Sequence, residues 1–248
     1  MVASFRTKLN GVSQQIIAIG GAGFSMEPDN LALERYILAQ SDASSPRVCF
    51  IPTASGDSDN YVRRFYESMC TLDCKPRHLS LFHSPPANLR SFVLEHDIIY
   101  VGGGNTRNML AIWRDWGLDL IIKSAYESGI ILTGVSAGSI CWFEQGVTDS
   151  MKPIGSDTLA SIECLGFLKG SNCPHYASEE FRRSEYHRLL NAGEIVDGWA
   201  VDDGVVLHFV DGSLKVIVTS RSTAFAYRVK RGDEEVEEER IQPQLLNS

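Results

Sequence analysis

The chain has 248 residues, 44% hydrophobic and 22% charged, which is enough apolar material for the core of one large α/β domain. With 31 acidic against 23 basic residues it carries a formal charge of −8. That balance argues against nucleic acid or an anionic membrane as partner, because both require clustered Lys and Arg. No apolar run is long enough to span a bilayer and Met1–Lys8 lacks the apolar core of a signal peptide, so the chain reads as cytoplasmic.

In chain order, a short apolar run over Gln15–Gly20 predicts a first strand, closed by Gly20-Gly21-Ala22-Gly23. Asp29–Gln40 reads as a helix, Arg47–Thr53 as a strand ended at Pro52, and Asp57–Cys70 as a helix. Arg77–Phe82 is a weaker strand, and Asp97–Val101 is a strong one closed by Gly102-Gly103-Gly104. Helices over Asn105–Trp113 and Leu118–Ser128 precede a fifth strand, Ile130–Val135. Strands alternating with helices predict a parallel sheet covered on both faces. In such sheets ligands sit beyond the carboxyl ends of the strands. Three Gly-rich turns fall at such ends.

Beyond Ser150 the pattern changes. Met151–Ser171 reads as loop-rich, Ser178–Ala192 as a helix, and Trp199–Val210 with Ser213–Thr219 as alternating strands around an Asp211-Gly212 turn. Phe225–Val229 adds a strand, and the charge run Gly232–Arg240 reads as a solvated end. With no repeat and no separating linker, the whole chain reads as a single domain with an ordered core over about 12–230. The six cysteines are scattered without a Cys-x-x-Cys pair, so free thiols are expected, with no metal and no cofactor. Gly21-Ala22-Gly23 fails as a dinucleotide fingerprint, because Met26 stands where its third glycine belongs.

The stretch that carries chemistry lies at the end of the fifth strand, Gly134-Val135-Ser136-Ala137-Gly138. Gly-x-Ser-x-Gly between a strand and a helix is the pattern of a nucleophile elbow, a sharp turn that exposes a serine hydroxyl. A serine needs a base, and the base an orienting acid. Of six histidines, His175 stands apart in Pro174-His175-Tyr176, where the proline stiffens the approach. Asp202 and Asp203 lie together inside a hydrophobic run, where a hydrogen bond to an imidazole would explain them. A water-facing acidic turn would explain them equally well, and Asp149 is a weaker rival.

These motifs carry a family resemblance. Gly102-Gly103-Gly104-Asn105-Thr106, the Gly134–Gly138 elbow, Pro174-His175-Tyr176 and Asp202-Asp203-Gly204 resemble, in order, those of the peptidase E group of serine peptidases. The likeness runs from about Ile16 to about Val229. It implies a three-layer α/β/α sandwich with a mostly parallel sheet, like class I glutamine amidotransferases. It implies catalysis by Ser136, His175 and Asp203. Asp203 stands where the group usually has the longer Glu, with Asp202 as the alternative. It further implies oxyanion donors at the backbone of Gly104 and Ala137, and substrate contacts from Asn105, Thr106 and Arg182. Asn105 and Thr106 could instead cap the following helix, and Arg182 could sit on a solvated helix face.

The function so implied is hydrolysis of short peptides through an acyl-enzyme, with a preference for N-terminal Asp read by a cation such as Arg182. The alternatives are a cyanophycinase-like hydrolase of an aspartyl polymer and an inactive binding module on the same scaffold. The partner expected is a short peptide, with no nucleic acid and no membrane; a homodimer is allowed.

Overall fold

The structure, a computed structural model, describes residues 12–151 and 158–247. The segment read for a leader, Met1–Lys8, and residues 152–157 of the loop-rich stretch lie outside the described residues.

Five strands expected to run parallel do so: β1 (Gln15–Ile19), β2 (Arg47–Ile51), β3 (Lys75–His78), β4 (Ile98–Val101) and β5 (Ile131–Val135). The helices between them are α1 (Ala32–Leu38), α2 (Asp59–Met69), α3 (Leu89–Leu94), α4 (Thr106–Trp116) and α5 (Leu118–Glu127). Strand side chains alternate faces. Ile17 and Ile19 of β1 therefore pack with Leu33, Ile37, Phe65 and Met69 of α1 and α2. Ile16 and Ala18 face the other way, toward Met109, Trp113, Ile122 and Ala125 of α4 and α5. That is the expected three-layer α/β/α arrangement.

Past β5 the chain builds more than the sequence suggests. A four-residue helix α6 (Ala137–Ile140) leads directly into β6 (Phe143–Thr148). β7 (Ala160–Glu163) and β8 (Leu168–Cys173) follow, then α7 (Arg182–Ala192) and β9 (Gly198–Val201). The last strands are β10 (Val205–Val210), β11 (Ser213–Thr219), β12 (Ala226–Arg231), β13 (Val236–Ile241) and β14 (Gln244–Leu245). The first sheet has eight strands, ordered β14-β11-β10-β1-β5-β4-β2-β3; a second has six, ordered β13-β12-β9-β8-β6-β7. Leu168, Val201 and Ala226 of the second sheet join the α4/α5 side of the core, and Leu189 and Leu190 of α7 cover its opposite face.

Two expectations change here. The run Trp199–Val210 is not one strand: it breaks at Asp202-Asp203-Gly204, leaving β9 in the second sheet and β10 in the first. The acidic run, read as a solvated end, is also an ordered strand. Its residues 236–241 form β13, where Glu237 lies opposite Lys230 and Glu239 opposite Arg228. Such cross-strand charge pairs favour pairing, and acidic side chains suit an edge strand.

Candidate active site

The carboxyl ends of β1, β4 and β5 converge, and the elbow sits among them. Ser136 has φ 56° and ψ −114°, a conformation that non-glycine residues adopt rarely and hold only when their surroundings impose it. The surroundings here are tight. A Cβ on Gly134 would meet the Gly138 carbonyl oxygen at 2.4 Å, and one on Gly138 would meet that of Val101 at 2.3 Å. The elbow is therefore wedged against β4 by contacts that only glycine permits. Because α6 is only four residues long, it adds little dipole. Its contribution is the N–H of Ala137, which opens the helix and has no intrahelical acceptor.

His175 follows β8 and also has a positive φ, 58°. Its Nδ1 lies 2.6 Å from Asp203 Oδ1, with both side chains largely buried. A carboxylate can only accept, so Nδ1 carries the proton and Nε2 is left as the basic nitrogen. Burial pushes the Asp203 carboxyl up. The hydrogen bond and charge of His175, a bond from Ser178 and the charge of Arg221 outweigh it and hold the group below its usual range. Arg221 stands 3.7 Å from Asp203 Oδ2 and is anchored on Glu27 at 2.9 Å.

The neighbouring carboxylate does something else. Asp202 accepts from the backbone N–H groups of Ala177 (3.1 Å) and Phe225 (2.9 Å). Burial raises its pKa despite those two bonds. Asp202 thus ties the segment after His175 to the approach to β12, while Asp203 faces the imidazole. Asp149, the weaker rival, is exposed.

Ser136 and His175 line one cavity of about 360 Å³, together with Ser55, Tyr61, Arg64 and Gly103. Gly103 packs on the serine: a Cβ there would come within 3.3 Å of Ser136 Cβ. Its N–H is already given to the Tyr61 hydroxyl at 3.2 Å. The adjacent Gly104 has φ 137° and sits against the Ala54 carbonyl.

Three expected substrate contacts are not brought to this cavity. Asn105 caps α4 by accepting from Asn108 N–H (2.8 Å), and it donates to the Ser150 carbonyl. Thr106 is buried and its N–H is bound to Ser150 Oγ at 2.8 Å. Arg182 is only 4% exposed, with Nε on Glu179 (2.6 Å) and Nη1 on the Val147 carbonyl (3.1 Å). Its donors serve the junction of α7 and β6, not a ligand.

Two further residues stand at the cavity or against its side chains. Gly21 follows β1, and a Cβ there would fall 2.0 Å from Asp203 Oδ1 and 2.7 Å from His175 Cε1. The run Gly20–Gly23, one of the three Gly-rich turns at strand ends, is its visible signal. Arg64 left no such signal, being one of two adjacent arginines on a charged helix face.

The model of Peptidase family S51 matches residues 16–217. An uncharacterized peptidase of Bacillus subtilis (strain 168) is 56% identical over 225 residues, covering 91% of this chain and 96% of the relative. The peptidase E of Streptomyces coelicolor is 29% identical over 130 residues, covering 52% of this chain and 51% of its own. Among solved structures, a peptidase from an acI-B1 Actinobacterium superposes with a TM-score of 0.64 at 16% identity, covering 92% of this chain and 96% of that one. At that identity the likeness bears on the fold alone.

Proposed function

Because the chain belongs to peptidase family S51, and so is a peptidase E-like serine-type peptidase, we propose that it cleaves short peptides with Ser136 as nucleophile, His175 as base and Asp203 as the orienting acid. One observation carries the reading. The His175–Asp203 bond of 2.6 Å leaves Nε2 as the basic nitrogen of an imidazole that shares a cavity with Ser136.

The steps follow from that arrangement. His175 Nε2 takes the proton from Ser136 Oγ as the oxygen attacks the peptide carbonyl. The N–H groups of Gly104 and Ala137 are the proposed donors to the oxyanion; removing one such donor typically costs about 10²–10³ in turnover. The imidazolium then protonates the leaving amine and the C–N bond breaks. Water, deprotonated by His175, releases the acyl group and restores the serine. A cavity of about 360 Å³ lies toward the small end of ligand clefts, which suits a dipeptide or a short peptide end.

The test is Ser136→Ala together with labelling by a serine-directed phosphonate. Wild type should be labelled at Ser136 and hydrolyse dipeptides, and the alanine variant should do neither while keeping its circular dichroism. Hydrolysis surviving in Ser136→Ala would overturn the assignment.

A further inference from the structure

Resting on the serine-peptidase reading of this cavity, we propose that Arg64 is its specificity-determining residue and pairs with a carboxylate of the substrate. Among the residues lining the cavity, Arg64 is the one permanently charged side chain, and none is Asp, Glu or Lys. One hydrogen bond places this exposed side chain. Nη1 donates to the Ser25 carbonyl at 2.9 Å, in the loop after β1. Tyr61, one turn earlier on α2, holds Gly103 N–H beside Ser136. Tyr61 and Arg64, three apart, are neighbours on the surface of α2, and both line the cavity with Ser136.

Among the described residues the Arg64 side chain spends only Nη1, on the Ser25 carbonyl. The nearby polar side chains Glu67 and Asn60 are both taken by Arg63. Arg64 has no carboxylate partner among the described residues, in a chain with 31 acidic against 23 basic residues. Guanidinium fits a carboxylate through two parallel N–H bonds, and that match is lost with an amide. The carboxylate contact implied for Arg182 by resemblance is thereby available from Arg64.

Two carboxylates of a short peptide could fill the role: an acidic side chain on the residue that acylates Ser136, or the free carboxyl end of a dipeptide. Asp-Leu, Asn-Leu and Asp-Leu-amide separate them. Arg64→Gln should lower kcat/KM about tenfold to a hundredfold for the substrates that carry the recognised carboxylate, and Arg64→Lys should restore part of it. Loss shared by Asp-Leu and Asp-Leu-amide identifies the side chain; loss shared by Asp-Leu and Asn-Leu identifies the carboxyl end. Equal change for all three, or none, overturns the proposal.

Calorimetric binding of Asp-Leu to Ser136→Ala, with and without Arg64→Gln, reads the arginine apart from catalysis. Tighter binding with Arg64 present supports it even where wild type cleaves nothing, an outcome that would remove the nucleophile assignment instead. Equal binding, or none, overturns the arginine assignment, whereas cleavage that ignores Arg64→Gln removes it and leaves the peptidase reading in place.

Discussion

Glu34 gives the sharpest quantitative test of the structure. It lies on α1 with no solvent exposure, and its Oε1 accepts Phe24 N–H at 2.8 Å. Among the described residues its Oε2 has no hydrogen-bond partner, nor has the buried hydroxyl of Tyr100. The two groups sit on either side of Gly23, whose added Cβ would be 2.9 Å from Glu34 Oε1 and 3.3 Å from the Tyr100 oxygen. Burial pushes the carboxyl up from 4.5 to about 7, the Phe24 N–H bond and its own backbone N–H pull it partly back, and Glu27 adds to the rise. The folded protein therefore keeps this proton where the unfolded chain has released it.

The sign follows from linkage. Between pH 4.5 and 7 the unfolded chain binds fewer protons at this site than the folded one, so stability falls as pH rises through that window and levels off above it. A gap of about 2.5 pH units at 1.36 kcal/mol each amounts to about 3 kcal/mol. Glu34→Gln removes the ionisation and keeps an oxygen for Phe24. Its effect at pH 4.5 reports the amide swap alone, and by pH 8 it should have shifted in favour of Gln by about 3 kcal/mol. For a chain of this size that is about 6–12 °C in melting temperature. Urea denaturation of both proteins from pH 4.5 to 8 measures it, and titrating groups that do not couple to Glu34 cancel in the difference. Parallel stability curves would refute the claim that this carboxyl is desolvated.

Asp203→Asn should lower kcat by about 10³–10⁴ with little change in KM, because an amide can donate to Nδ1 and so hold the wrong tautomer; an unchanged kcat in a folded variant would unseat Asp203. Gly21→Ala should cost more activity than stability. Its methyl must displace the His175–Asp203 pair from 2.0 and 2.7 Å contacts, whereas overpacking typically costs about 1–3 kcal/mol. Wild-type turnover in that variant would show that the loop moves instead.

The parallel half of the molecule was legible because its strands are continuous apolar runs, as buried parallel strands are. Val48-Cys49-Phe50-Ile51 and Ile98-Ile99-Tyr100-Val101 are buried throughout. The second sheet was not. β6 reads Phe-Glu-Gln-Gly-Val-Thr and β8 Leu-Lys-Gly-Ser-Asn-Cys, and several of their polar groups bond to neighbours distant in sequence. Asn172 accepts from Ser139 Oγ, and the Ser171 and Tyr186 hydroxyls share a bond. No local pattern announces such pairs. The site divides in the same way. Ser136, His175 and Asp203 stand in short motifs with their own backbone demands. Arg64 differs from Arg63 only in which way it projects from α2, and that depends on the loop after β1 that receives it.

That division has a structural cause. Ser136 is presented by the first sheet, at the end of β5, whereas His175 arrives from the second, just after β8. In the proposed mechanism the two must meet to within a hydrogen bond, which would make the relative placement of the sheets part of the active site. The chain passes from one to the other at Asp202-Asp203-Gly204, between β9 and β10. Each carboxylate of the pair serves one requirement of that passage. Asp202 binds the N–H groups of Ala177 and Phe225, fixing the second sheet's loops around the turn. Asp203 reaches the imidazole. Gly204, at φ 84°, then turns the chain into β10, and its N–H binds the Gly21 carbonyl at 3.0 Å, fastening the turn to the loop after β1. Two adjacent acids inside an apolar run are therefore neither a water-facing turn nor equivalent: Asp202 holds the backbone of the junction, and Asp203 binds His175, the contact that the proposed mechanism uses to aim the imidazole.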